Sequence, residues 1–389
     1  MKIGIIKDCV YPYTKGGGEL RDYMFAKEFV KMGHEVSLIG MKFWEGGTTV
    51  EIDEGITGVG ITRKSSLYTS KGVRSLRDSI AFMQACSIYN LEDHVGKVDM
   101  LLTDHVPYLH LGNVQAWAQH LKIPVFVTWH EYYGYKHWLK ERFLPVGITC
   151  GLIEKWVMGF GDRVVAVSER TKDRLLKAGG DEGQVIVVEG GLDNDGVDAV
   201  TPFVHTSDVI YSTRMVRHKR VDLFLKAMKL AEERMFHSHA GKKLKIVLTG
   251  DGPLKPELER LAGELNLDVR FTGWIPSLAD VWGYMKSSKV MVHTSEREGF
   301  GFTALEAMAC GLPVVTSNED SNAINQLVTH GYNGYISDPT VEGFATGFIR
   351  MYNQRLKSNL IPVNAKVFAK KYSWTTGAEK LIKEYENVR

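Results

Sequence analysis

The sequence predicts two doubly wound α/β domains, each built on a parallel sheet covered by helices on both faces. Short apolar runs alternate with amphipathic stretches along the whole chain, the pattern of parallel strands joined by helical crossovers. The runs are continuously apolar rather than alternating, as strands buried on both faces require. A Gly/Asp/Asn-rich segment from Gly190 to about Val200 interrupts the rhythm before it restarts, and 389 residues is a length for two domains.

KIGII reads as the first strand, and Glu19 to Met32 carries Leu20, Met24, Phe25 and Phe29 at helical spacing. EVSLIG, VDMLLT, IPVFVTWH and DRVVAVS read as further strands, each followed by a helical pattern. Ser168 opens SERTKDRLLKAGG as an N-cap, and Gly179–Gly180 closes it. Beyond the linker come DVIYSTR, KLKIVLTGDGP, LDVRFTGW, SKVMVHTS and LPVVTS. The expected domains are 1–198 and 199–371, with 372–389 as a final helix.

Composition removes several function classes. Forty-eight basic and 46 acidic residues leave a net charge of +2, too little for a protein that holds nucleic acid by bulk charge. Residues 1–198 hold 23 basic and 26 acidic side chains and the remainder 25 and 20, so a mild basic excess sits in the second half. Cys9, Cys86, Cys150 and Cys310 lie far apart with no CxxC pair, against a disulfide framework or zinc cluster. The apolar run Ile3–Ile6 is too short for a signal-peptide core, and Phe143–Ile153 is too short to span a bilayer. A cytoplasmic protein is expected.

Ligands of such sheets bind beyond the carboxyl ends of the strands, where helix N-termini favour anions. Gly16, Gly17 and Gly18 follow the first strand and precede a helix, so a phosphate can approach the backbone there, although neither GxGxxG nor GK[ST] is present. VTWHEYYG places His130 and Glu131 at a strand end, and Gly134 at the position of a second histidine excludes HExxH. The Asp193–Asn194–Asp195 triplet imitates a metal-binding DxD but also fits an ordinary turn.

The second half is sharper. Arg214, Arg217, His218, Lys219 and Arg220 cluster at a strand-to-helix turn, where guanidinium forks and an ammonium suit a diphosphate. Gly250 in LTGDGP repeats the glycine after a strand and could pass a base or ribose close to the backbone. In SEREGFGFTALEAMACGLPVV, Glu298 and Glu306 lie eight apart, with Gly299 and Gly301 opening a helix between them. Glu306 can accept from a ribose diol or, with Thr303, form a capping box.

At this point the chain resembles the retaining GT-B glycosyltransferases of glycosyltransferase family 4, through GGGE, VTWHE, VVAVSERTKDRLL, TRMVRHKRVD, LTGDGP, FTGW, EGFGFTALEAMACGLPVV and YSWTTGAEKLIKEY. The resemblance implies two Rossmann-like domains facing a cleft and a retaining hexosyltransferase. A nucleotide diphosphosugar donor would sit mainly on the C-terminal domain, and a sugar or lipid-linked acceptor on the N-terminal one. It implies that Arg214 and Lys219 hold the diphosphate, with the backbone of Gly301, Phe302 and Thr303, and that Glu306 holds the ribose. Glu298, Gly299 and Phe300 would hold the transferred sugar, His130 would lie near its reacting face, Gly17–Gly18 would close over the phosphates, and Trp274 would adjoin the base. Same-face attack, with the leaving phosphate taking the acceptor's proton, is likewise implied, with no metal cofactor required. Two positions depart from the family pattern: Gln326 in DSNAINQLV stands at a glutamate position, and the interdomain turn reads EGGLD. A non-catalytic nucleotide-sugar-binding subunit, or an epimerase or phosphorylase on the same architecture, are the alternatives.

Lys136, His137, Trp138, Lys140 and Arg142 adjoin the uncharged run Phe143–Ile153. That run is read either as core with charges solvated at its edge, or as an interfacial helix placing the protein peripherally on the cytoplasmic membrane face. Glu141 and Glu154 dilute the positive field in the second reading.

Overall fold

The computed structural model describes residues 1–14, 16–63, 76–88, 95–237 and 241–389. The chain divides into two units, Met1–Gly191 with Trp374–Arg389, and Leu192–Ser373.

The first unit holds eight strands: β1 Lys2–Ile6, β2 Glu35–Lys42, β3 Thr49–Asp53, β4 Ile56–Arg63, β5 Met100–Asp104, β6 Val125–Trp129, β7 Arg163–Ala166 and β8 Val185–Val187. Their order is β3-β4-β2-β1-β5-β6-β7-β8. All pairings are parallel except β3 with β4. The β3–β4 hairpin is absent from the sequence reading. β3 is a five-residue edge strand with no buried position, so it lacks the apolar run that marks its neighbours. Both β5 and β6 are buried throughout, which is why MLLTD and VFVTW read as unbroken apolar runs up to their polar ends.

The second unit holds β9 Ser207–Ser212, β10 Lys245–Thr249, β11 Asp268–Gly273, β12 Ser288–Val292, β13 Val314–Ser317 and β14 Gly334–Ser337. Their order is β11-β10-β9-β12-β13-β14, all parallel. The core on one face packs Val209, Tyr211, Ile246, Leu248, Val290 and Val292 against the helices Val221–Phe236 and Val341–Lys357. Each unit is thus a Rossmann-like, doubly wound sheet.

The division at Gly191 differs from the expected boundary at 198. The segment read as a linker is in part a helix, Asn194–Ala199, capped by Asp193 through a 2.9 Å bond from the Gly196 N–H. Second-unit side chains hold it: Lys366 Nζ meets Asp198 at 3.0 Å and Lys286 Nζ donates to the Val200 carbonyl at 2.6 Å. The final helix, Trp374–Val388, belongs to the first unit. There Trp374 packs edge-on to Phe25, Thr375 donates to Glu28 at 2.8 Å, and Arg163 pairs with Glu384 at 2.9 Å. Among the described residues no helix is long and apolar enough to cross a membrane.

Candidate functional site

Both units gather charge at the carboxyl ends of their central strands. In the first, Lys7 follows β1, Asp104 ends β5 and His130 follows β6. Three neighbouring strands therefore bring these residues together. The Asp104 carboxylate pairs with Lys7 Nζ and accepts from His130 Nε2 at 2.9 Å. Lys7 Nζ also meets Asp22 at 3.1 Å and Glu19 at 3.9 Å on the helix Gly17–Lys31. Burial alone would push the Lys7 ammonium down, but Asp104, Asp22 and Glu19 outweigh it and raise its pKa well above the ordinary value. Burial likewise opposes ionisation of Asp104, yet His130 and Lys7 hold it well below the usual carboxylate range. Asp22 moves the other way, raised by burial and by the charge of Asp104.

Gly18 covers this cluster. A Cβ there would come within 2.6 Å of Lys7 Nζ and 3.3 Å of His130 Nε2, so the structure brings Gly18 and His130 together, while Gly17 is exposed at the helix start. The His130 side chain remains 28% exposed. Behind it His105 stacks on Trp129 at 4.6 Å, and burial pushes its pKa down to about 3, which leaves it neutral.

In the second unit, Lys219 Nζ pairs with Glu298 Oε1, and His293 Nε2 lies 3.3 Å from the same oxygen. The two residues read from sequence as phosphate and sugar ligands are therefore ion-paired. Burial would raise the Glu298 pKa, but Lys219 foremost pulls it to about 2. Burial lowers the pKa of His293 to about 4, and its Nδ1 has no hydrogen-bond partner among the described residues, so the neutral ring presents Nε2–H to Glu298. The Glu298 backbone is fixed by the loop after β13: its N–H donates to Ser321 O, and Ala323 N–H donates to its carbonyl, both at 2.9 Å. Asn322 anchors that loop through Thr316 and Ser317.

The basic turn is held by backbone capture. Tyr211 OH and Thr294 Oγ1 both donate to the Lys219 carbonyl, at 2.8 and 3.1 Å. Arg220 adopts a left-handed φ of 49° and is held by Glu319 at 2.9 Å and Glu296 at 3.7 Å. A non-glycine residue in that region costs of order 1–3 kcal/mol and marks an over-determined turn. Arg214 lies exposed on the same turn.

The helix Phe302–Ala309 starts immediately beyond Glu298–Gly299–Phe300. Gly301 caps it at φ 103°, where a Cβ would strike Ile324 at 2.3 Å. The cap position is Gly301, and Thr303 sits inside the helix, which removes the capping-box reading of Thr303 and Glu306. The backbone donors of this first turn are the anion-ready feature of the unit. Phe300 is a core residue, edge-on to Phe302 at 5.0 Å. Glu306 is buried, and desolvation raises its carboxyl to about 7; the Trp282 indole opposes that rise from nearby, outside hydrogen-bond geometry. Gly250, at φ 110°, is required by the fold itself, since a Cβ would lie 2.1 Å from the Thr213 carbonyl. Its N–H bonds Gly273 O at 2.9 Å, and Trp274, the next residue, is 56% exposed.

Sequence reading missed Lys7, Asp22, Asp104 and His293. Lys7, Asp104 and His293 are polar residues where an apolar strand stops, so the rule that found His130 applies to them as well. Asp22 lies one helical turn beyond Gly18 and carries no such mark.

Two doubly wound units, each with polar and charged groups massed at its strand ends, make this a GT-B protein. It belongs to the glycosyltransferases of group 1. Residues 201–367 match the family described as glycosyl transferases group 1, and residues 15–195 match glycosyltransferase family 4. An uncharacterized glycosyltransferase of Methanocaldococcus jannaschii is 25% identical over 248 residues, 61% of this chain and 60% of that protein. The match thus spans about three-fifths of that relative's length. Sucrose-phosphate synthase from Thermosynechococcus elongatus shares the fold with a TM-score of 0.79 and 17% identity, covering 100% of this chain and 98% of that one. The Anabaena protein HepE, solved with UDP and glucose, shares it with a TM-score of 0.69 and 18% identity over the full length of both.

Proposed function

We propose that the protein transfers a hexosyl group from a nucleotide diphosphosugar to a hydroxyl acceptor, with retention of configuration. The carrying observation is the juxtaposition, in one unit, of Lys219, Glu298 and the N-terminus of the helix Phe302–Ala309, where glycine stands at the cap. Departure of a nucleoside diphosphate develops negative charge on the leaving oxygen. Lys219, Arg214 and the backbone donors near Gly301 supply preorganised positive potential for it. Glu298, held ionised by Lys219, accepts from sugar hydroxyls, and Glu306 accepts from the ribose diol. Trp274 offers an exposed face for the base. The first unit is assigned the acceptor, with His130 as its candidate group toward the sugar. HepE's UDP and glucose support the donor class.

No divalent cation is assigned a role in this reading. Asp193 spends its carboxylate on a helix cap, and no cluster of three metal-ligating side chains occurs among the described residues.

The test is a panel of UDP-, GDP- and ADP-sugars followed by thermal shift. A cognate donor at about 100 times its Kd stabilises by about 2.7 kcal/mol. Mass analysis with hydroxyl acceptors then separates the alternatives. A transferase consumes donor only with acceptor, an epimerase needs none, and a binding subunit changes nothing.

A further inference from the structure

The helix Leu144–Val157 has its polarity reversed. Its buried face carries Gly147, Gly151, Glu154 and Val157. Gly147 and Gly151 let the preceding helix, Gly134–Glu141, approach closely: a Cβ would meet the Trp138 carbonyl at 2.8 Å and the Tyr135 ring at 2.5 Å. Glu154 is wholly buried and accepts from Tyr133 N–H and Gly134 N–H at 2.8 Å, and from Trp138 Nε1 and Tyr108 OH at 3.0 Å. Four donors occupy this carboxylate, so it is withdrawn from the surface.

The outward face is apolar. Leu144, Ile148, Leu152 and Trp156 are 65, 42, 56 and 61% exposed, and Phe143, just ahead of the helix, is 71% exposed. Spaced four apart, they form a row about 18 Å long at 1.5 Å per residue. Lone exposed apolar side chains need no explanation, but a contiguous row does. Between Phe143 and Trp156 the charged residues are Glu154, turned inward, and Lys155, exposed. Lys136 and Lys140 stand exposed on the neighbouring helix, with Arg142 between the two helices. From 134 to 157, four cations stand against Glu141 and the withdrawn Glu154.

We propose that this face docks on an anionic lipid bilayer, the helix lying in the plane of the interface. Apolar area enters the acyl boundary, Phe143 and Trp156 anchor the row at its ends, and the cations meet anionic headgroups. Charge decides between occupants: a second copy joined by two-fold symmetry would set the same four cations on both sides of the contact. This surface uses no residue of the donor site, so it goes beyond the transferase reading and stands or falls apart from it.

Flotation of the full chain tests it, with vesicles of phosphatidylcholine alone and of phosphatidylcholine with phosphatidylglycerol, at low and high salt. Binding to the anionic vesicles is expected, weakened by salt. Lys140→Glu with Arg142→Glu abolishes the anionic preference. Ile148→Ser with Leu152→Ser lowers partitioning about tenfold or more at either salt. Val204→Ser, at a 94% exposed position in the other unit, leaves flotation unchanged. Brominated lipid quenches wild-type tryptophan emission more than that of Trp156→Phe. The proposal is overturned if the protein stays soluble with every vesicle, or if the Ile148→Ser/Leu152→Ser variant floats like wild type. Self-association in sedimentation that this variant abolishes, with vesicles ignored, overturns it in favour of a second copy. Donor-dependent thermal shift, read without vesicles, reports on the transferase reading alone.

Discussion

The two units place the same three residue types at their strand ends, a lysine, a carboxylate and a histidine, and expose opposite members. In the first unit Lys7 and Asp104 are buried among Asp22 and Glu19, and His130 is left at the surface. In the second, His293 is buried, 1% exposed, beneath Glu298, and the Lys219–Glu298 pair stands next to a helix N-terminus. Where the ions are buried they orient a histidine; where the histidine is buried it orients the ions. One lysine facing three carboxylates is structural charge compensation, whereas one lysine facing one carboxylate beside a helix N-terminus is the arrangement on which the donor proposal rests.

The contrast breaks first, and most, at Lys7. Lys7→Met leaves buried Asp104 without its cation and is expected to cost about 3–5 kcal/mol in urea unfolding. Adding Asp104→Asn recovers part of that loss. Equal stability of Lys7→Met and wild type would make the two clusters alike. Next comes Lys219. Lys219→Met with Glu298→Gln, which removes both charges, is expected to melt near wild type yet lose turnover by about 10²–10³. Recovery of turnover along with stability would make this pair structural too.

A smaller effect sharpens the site through pH. Burial holds Glu306 at about 7 against its ordinary 4.5, so the folded protein keeps a proton that the unfolded chain has already lost. Its contribution to stability is fully present below about 4.5 and lost as pH rises through about 7, because ionisation in the fold is penalised. Donor hydroxyls favour the ionised form, so donor affinity should rise over the same window. Glu306→Gln should flatten both slopes and weaken donor binding about tenfold, read by calorimetry across pH. The smallest expected effect is that of EDTA: turnover unchanged. Loss on chelation with recovery on manganese would return Asp193 and Asp195 to consideration as ligands.

Much of the fold was legible because buried parallel strands advertise themselves. VFVTW and MLLTD are buried throughout and open on the apolar runs VFV and MLL, so no register or partner need be known to find them. TVEID and GYIS were not, being short and partly exposed, with their place set by pairing rather than by composition. At the candidate site, Glu298, Lys219 and His130 stand out in the sequence, but the other side chains that contact them in the structure do not. The Lys7–Asp104 contact joins residues 97 apart in the chain, and the loop carrying Asn322 holds Glu298 through backbone alone. Glu154 teaches the same lesson in reverse. It read as a surface charge diluting a basic patch, and four donors from two separate segments turn it inward.

The final helix sets an order on synthesis. The first unit includes Trp374–Arg389, and 182 residues of the second unit, Leu192–Ser373, lie between it and the rest. At the ribosome the first unit emerges first but waits for its last piece. At roughly 5–20 residues per second, that interval is about 9–36 s. Throughout it, Phe25, Glu28 and Arg163 lack the Trp374, Thr375 and Glu384 that complete them. The first unit therefore stays incomplete until the whole of the second unit has been made, so the domain that begins first is not the one that can be completed first.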